Sequence, residues 1–398
     1  MSAIFLFKCV AKNSCVCYDK RGTGNGCNSK FVTMKIIGKE DNKEKSGDNN
    51  VLKKKRIIAG MTLAFVLMLA GCNTNKSTEN IKQGYDAITA LEYETALNCF
   101  IKATEAKENA QQIARGQGIA YLGLAKYKEA VEAFLLALSY SDEFVDEFDF
   151  DTNYYLATAY FKNGQIAEAG KVYSAILDLR DDREARYLRG IVFLEENKLP
   201  EAKADFDVAL SKDSGDYDMR IEIAQALMEK GYEAEAKAYL QAALGSNEKK
   251  ISDYDRGRLA YYMGDYENAR NYLESTKGNK NAEAVLLLGQ TYEKLGDYNY
   301  AASIYSNYLT AYSNNVYLLN RLGMCKLQAG DAETALEYFE KALALEESSM
   351  TQVLKFNQIV AYEYLGEFDQ ANVLMRSYLQ IYPDDQEALR EYEFLRSR

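Results

Sequence analysis

The stretch GIAYLGLAKYKEAVEAFLLA, residues 118–137, sets small and large apolar residues at helical spacing: Gly118 and Tyr121, then Tyr127, Ala130, Phe134 and Ala137. Steps of three and four put such residues on one face of a helix. Outward from Ala130, a small alanine recurs at Ala96, Ala169, Ala202, Ala236, Ala269, Ala301, Ala335 and Ala371, with intervals of 32 to 39 residues. Four residues after each stands a large apolar group: Phe100, Phe134, Tyr173, Phe206, Leu240, Leu273, Tyr305, Phe339 and Met375. Twelve residues before it stands a small one, Gly84, Gly118, Ala157, Gly190, Ala224, Gly257, Gly289 and Gly323, with Ile359 in the last repeat. Five residues before it, six repeats carry glycine: Gly164, Gly231, Gly264, Gly296, Gly330 and Gly366.

Each position has a physical reason. A glycine reaches positive φ without a Cβ clash, so it ends a first helix and turns the chain into a second. Small residues let the two helices approach closely, and the large residue one turn later fills the gap toward the next pair. A single helix pair cannot bury such a face alone, so pairs stack.

These residues resemble the tetratricopeptide repeat, whose signature is small-x2-Tyr in helix A and Gly-x-Tyr-x2-Ala-x3-Phe-x2-Ala in helix B. Gly118, Tyr121, Tyr127, Ala130, Phe134 and Ala137 match it in one repeat, and Gly289, Tyr292, Gly296, Tyr298 and Ala301 in another. The resemblance implies an all-α fold: a right-handed superhelical solenoid of about nine helix hairpins over residues 81–383. Residues 384–398, with Ala388, Tyr392 and Leu395 at helical spacing, are expected to form a C-terminal capping helix. The family's helix-A tryptophan is absent, and its inter-repeat proline survives only at Pro383. Pro200 falls near the start of a second helix, where proline is tolerated.

The front of the chain reads as an address. Lys53, Lys54, Lys55 and Arg56 precede an apolar run that ends at Leu69, Ala70, Gly71 and Cys72. A basic block, an apolar core of this length and small residues at the cut make a secretory signal over residues 51–71. The run is shorter than the roughly 20 apolar residues a membrane-spanning helix needs. Leu-Ala-Gly-Cys also resembles the bacterial lipobox, which implies cleavage before Cys72 and a diacylglyceryl group on its thiol. Residues 72–80 are then the lipidated cysteine and a polar tether. The expected location is the outer face of a cell membrane; in a diderm cell, Asn73 supplies no inner-membrane retention signal of the aspartate type. Residues 1–50 are read as an extension to the functional chain, untranslated or disordered, with Val51 as the start through an alternative codon.

Composition bounds the chemistry. The 398 residues include no histidine, which removes Ser-His-Asp and Cys-His catalysis and most zinc sites. Glu195 and Glu196 point about 100° apart on a helix, so this pair does not converge on one substrate. Cys9, Cys15, Cys17 and Cys27 lack paired C-x-x-C spacing. No catalytic activity, metal or cofactor is expected. Residues 1–71 hold 13 Lys/Arg against 5 Asp/Glu, whereas the remainder holds 35 against 54. That acidic body repels phosphate backbones and argues against nucleic acid as a partner. Cys99 and Cys325 are expected as buried free thiols.

In the family, helix A lines the inner wall of the superhelix. Mapped here, that wall takes in Tyr154, Tyr187, Tyr254 and Phe356 at one repeat position, with Phe161, Arg258 and Tyr261 on the same faces. The set suits a protein or peptide partner, since Tyr and Arg are favoured contact residues. The same side chains would serve equally to pack neighbouring helices, and the sequence leaves both readings open. The family's carboxylate clamp needs Lys and Asn at set helix-A positions and finds no counterpart set here. The segment 141–151, where acids alternate with Phe144, Phe148 and Phe150, reads as an exposed docking or calcium loop or as an extended helix end with buried rings. The function expected is a membrane-anchored extracytoplasmic scaffold; the alternative is a receptor for a small peptide or solute in the groove.

Overall fold

The computed structural model describes residues 78–141, 145–245, 251–276, 281–345 and 350–398. Residues 1–77 lie outside these, and with them the expectations for Leu69, Ala70, Gly71 and Cys72; so does Phe144. Every regular element among the described residues is helical. Nine hairpins follow in order: α1 (Glu79–Thr89) with α2 (Tyr93–Glu105), α3 (Ala110–Gly123) with α4 (Tyr127–Ser139), α5 (Glu147–Lys162) with α6 (Ile166–Leu179), α7 (Arg183–Glu195) with α8 (Leu199–Lys212), α9 (Tyr217–Glu229) with α10 (Glu233–Leu244), α11 (Asp253–Met263) with α12 (Tyr266–Leu273), α13 (Ala282–Lys294) with α14 (Tyr298–Ala311), α15 (Val316–Gln328) with α16 (Ala332–Leu343), and α17 (Thr351–Tyr364) with α18 (Phe368–Ile381). A last helix, α19 (Gln386–Leu395), packs on α18. The chain forms two compact units, Met1–Ala209 and Leu210–Arg398, divided within α8.

The repeated alanine is fully buried in all nine hairpins, and the large residue one turn later is at most 1% exposed. Its packing is tighter and more local than the sequence suggested. The ring or branch lies on the small residue of its own hairpin rather than only toward the next. A Cβ placed at Gly84 would stand 2.7 Å from Phe100, and one at Gly118 or Gly323 would stand 2.5 Å from Phe134 or Phe339. Phe100 does both jobs, because it also presses on Gly116 of the following helix.

The turn between the helices of each hairpin has one conformation throughout. The six expected glycines have φ of 76° to 84°. The three hairpins without glycine put Leu91, Ala125 and Asn197 in the same left-handed region, at φ of 62°, 56° and 58°. In each case the next backbone N–H closes onto a carbonyl five residues earlier, as Glu92 does on Ala87 at 2.8 Å and Asp297 on Tyr292 at 2.9 Å. This closure satisfies a helix-terminal carbonyl, and holding it outweighs the left-handed strain of an ordinary residue.

Helix starts are also marked. The first helices α3, α5, α7, α9, α11, α13 and α15 each begin on an Asn, Asp or Ser whose side chain accepts from a backbone N–H of the first turn. Helix α1 has no such cap of its own; the buried Glu108 reaches back instead, accepting from the Ile81 N–H at 3.0 Å. The segment before α5 takes the helix-end reading: Phe150 is 6% exposed, and the buried Asp149 accepts from Gln111 at 2.8 Å and from Ser141. Cys325 is buried and Cys99 half-buried, both free. No helix among the described residues is long and apolar enough to cross a membrane.

Candidate functional site

In the first unit, Tyr154 and Phe161 share α5. Tyr154 is half-buried, and its hydroxyl donates to Asp182, the cap of α7, at 2.5 Å. Burial and that carboxylate push the phenol well above its ordinary range. Its ring meets Phe150 edge-on at 5.6 Å and Tyr173 at 6.1 Å. Tyr187 is only 4% exposed and turns into its own hairpin, 6.1 Å from Phe206. Phe161 is half-buried. Arg115 holds in α3 the repeat position that Tyr154 holds in α5. Its guanidinium lies 4.3 Å from the Phe148 ring and 5.5 Å from Tyr155, and pairs with Asp151 at 3.5 Å.

In the second unit, α11 brings Tyr254, Arg258 and Tyr261 onto one helix. The Arg258 guanidinium sits 5.5 Å from the Tyr254 ring, forms an ion pair with Asp218 of α9, and approaches Asp255 at 3.4 Å. Tyr261 meets Tyr262 and Tyr266 edge-on at 5.4 Å and 5.5 Å. Burial, then those two phenols, push its hydroxyl up to about 12. Phe356 lies three first helices further on, in α17, 5.9 Å from Tyr378.

Polar contacts join consecutive first helices along this wall. Asp218 of α9 meets Arg258 of α11. Glu293 of α13 pairs with Arg321 of α15 at 3.1 Å, and also accepts from Tyr305 at 2.6 Å and from the Cys325 thiol at 3.7 Å. Burial and that carboxylate raise the thiol to about 12, which leaves it protonated at neutral pH. Asn357 of α17 donates to Asn320 of α15 at 2.7 Å. The sequence reading missed Arg115, Asp218, Glu293 and Arg321. Aligned on the central alanine, the partners fall six or seven positions apart, Asp218 against Arg258 and Glu293 against Arg321, so no fixed spacing marked them.

What this wall offers is contact chemistry. Half-buried tyrosines present flat apolar faces with polar edges, and Arg258 and Arg321 present charge held in place by a carboxylate. A separate cavity of about 410 Å³ opens between α14, α15 and α16, with Leu309, Leu319 and Leu322 as its floor and Tyr338, Lys341 and Thr310 around it. None of the expected wall residues lines it.

Family models described as Tetratricopeptide repeat match residues 81–146, 154–218, 187–250, 254–316, 286–349 and 354–385. Among solved structures, the chain is similar to a tetratricopeptide repeat protein from Parabacteroides merdae at 15% identity and a TM-score of 0.41, over 63% of this chain and 98% of that one. It is similar to pilF of Pseudomonas aeruginosa at 16% identity and a TM-score of 0.38, over 54% and 96%. It is also similar to a thermophilic TPR protein of Thermus thermophilus at 14% identity and a TM-score of 0.35, over 55% and 100%. A comparison with curated proteins finds no match.

Proposed function

Because the chain belongs to the tetratricopeptide repeat family, its repeats matching well over half of the residues, we propose that it is a membrane-anchored extracytoplasmic scaffold that holds other proteins on its first-helix walls. The observation that carries the binding part is the α11 face, where Tyr254, Arg258 and Tyr261 stand together half-buried. Tyrosine and arginine in a partly desolvated setting are the residue types that dominate protein–protein affinity. Anchoring rests on the basic block, apolar run and Leu-Ala-Gly-Cys of residues 53–72. Two or three acyl chains hold a protein stably on a bilayer where one does not.

Metabolic labelling with an alkyne fatty acid, followed by membrane fractionation, tests the anchor. The wild-type chain should be labelled and sediment with membranes, and Cys72→Ala should be neither. A labelled Cys72→Ala protein would refute lipidation at this cysteine. Co-purification from detergent-solubilised membranes tests the wall: partners retained by the wild type should be lost from the combined Tyr254→Ala, Arg258→Ala and Tyr261→Ala variant. Equal retention by both would place binding elsewhere.

A second reading, a receptor for a small peptide or solute, draws on the cavity bounded by Leu309, Leu322 and Tyr338, whose volume suits a side chain or small molecule. Thermal shifts against peptide and glycan libraries separate the two: one low-mass ligand raising Tm specifically favours the receptor.

A further inference from the structure

The cavity between α14, α15 and α16 differs in charge from the chain around it. The chain carries 59 acidic against 48 basic residues, yet among the described residues that line the cavity the one charged side chain is Lys341. The floor is aliphatic: Leu309 of α14 and Leu319 and Leu322 of α15 are 9%, 6% and 1% exposed. The sides are fixed by the repeat itself. Ser306 directly follows Tyr305, Tyr338 directly precedes Phe339, and both of those large residues are fully buried. A site whose walls are held by core packing needs little reordering to receive a ligand.

The polar groups at the mouth favour an anion. The Asn314 amide oxygen accepts from the Ser313 hydroxyl at 3.1 Å, which leaves its N–H donors exposed to solvent. The Lys341 ammonium lies 4.9 Å from the centre of the Tyr338 ring and 3.7 Å from Glu337, one turn earlier on α16. The two side chains of that ion pair are 59% and 68% exposed. So solvated a pair holds its ammonium weakly, and an ammonium has three N–H donors, so others remain for a ligand. An ionised carboxylate only accepts hydrogen bonds and so matches these donors. A cationic ligand would meet Lys341 instead, and a zwitterion would bring an ammonium with no carboxylate among the described lining residues to receive it. The volume, about 410 Å³, is near the lower end of the roughly 300–1,000 Å³ typical of ligand sites and calls for a small molecule or a chain end.

We propose that this cavity binds a compact branched aliphatic acid, with its hydrocarbon on the leucine floor, its carboxylate on Lys341 and the Asn314 amide as a second donor. This ligand class refines the receptor reading of the cavity and rests on it. The site is separate from the first-helix wall, because α14 and α16 are second helices and no wall residue lines the cavity. The same chemistry occurs in a free branched-chain acid and at the end of a protein chain that terminates in leucine.

Calorimetric titration of the full chain in lipid nanodiscs at neutral pH tests the assignment with two matched probes, 4-methylpentanoate and its amide. The acid should bind about tenfold more tightly than the amide, since only the acid makes a charge-assisted contact. Lys341→Met keeps the apolar stem and should abolish that preference, whereas Lys341→Arg should retain it. A third probe, N-acetyl-alanyl-leucine with a free terminal carboxylate, separates the sources: tighter binding than the free acid assigns the site to a chain end, and weaker binding assigns it to a small metabolite. Equal affinity for acid and amide, no binding of any of the acids, or a Lys341→Met protein that keeps the preference overturns the proposal. If the acids fail while a neutral library member still raises Tm, the ligand class falls and the receptor reading stands; if no library member binds, both fall.

Discussion

The interior of each hairpin and the wall formed by its first helix follow opposite rules. Inside, the nine central alanines are all fully buried and the nine large residues that follow them are at most 1% exposed. On the wall, aligned positions hold different chemistry from one repeat to the next: Ile81, Arg115, Tyr154 and Tyr187 within the first unit, and Ile221, Tyr254, Leu286, Asn320 and Phe356 within the second. Uniformity marks what stacking demands of every repeat. Variation marks what stacking leaves free, and free positions are where recognition can be written.

That contrast can be broken by substitution. The largest effect belongs to the interior: Phe134→Ala removes a fully buried ring and should lower unfolding free energy by about 4 kcal/mol, read by chemical denaturation. A loss below about 1 kcal/mol would mean that the repeated position is not what holds the hairpin. Next comes Asp205→Asn. This buried carboxylate accepts from Arg189 Nε at 2.7 Å and Nη2 at 2.9 Å, tying α8 to α7. Arg189 keeps part of its surface in water, so the loss should be about 2 kcal/mol, below that of a fully enclosed pair.

The turns sharpen the same point from the other side. Leu91→Gly and Ala125→Gly relieve a left-handed residue and should each raise stability by about 1 kcal/mol, whereas Gly296→Ala should lower it by about as much. Unchanged midpoints in all three would show that these turns relax in solution. The smallest effect belongs to the wall. Arg258→Ala should change stability by less than about 1 kcal/mol, because its partner Asp218 is half exposed, while weakening partner capture.

The repeat was legible from sequence because its demands recur. Ala96 to Ala371 and their large and small partners stand in register, and the six turn glycines name their own conformation. Leu91 and Ala125 adopt that conformation with nothing in their chemistry to announce it, whereas Asn197 is of the one non-glycine type that takes it readily. At Leu91 and Ala125 it is imposed by the two helices that the turn must join, not by local preference. The wall was legible as a position but not as a set of contacts. Tyr254, Arg258 and Tyr261 could be placed on one helix, yet Tyr187 turned into its own hairpin against Phe206. The pairs Asp218–Arg258 and Glu293–Arg321 join residues 40 and 28 positions apart, and only the stacking of one repeat on the next brings them together.

Photo-crosslinking in intact cells tests the central claim most directly, with a photoreactive residue placed at Tyr261 on a first helix or at Val373, an exposed position on a second helix of the same unit. The account predicts a defined protein adduct from position 261 and none from 373. An adduct from 373 with none from 261 would contradict it.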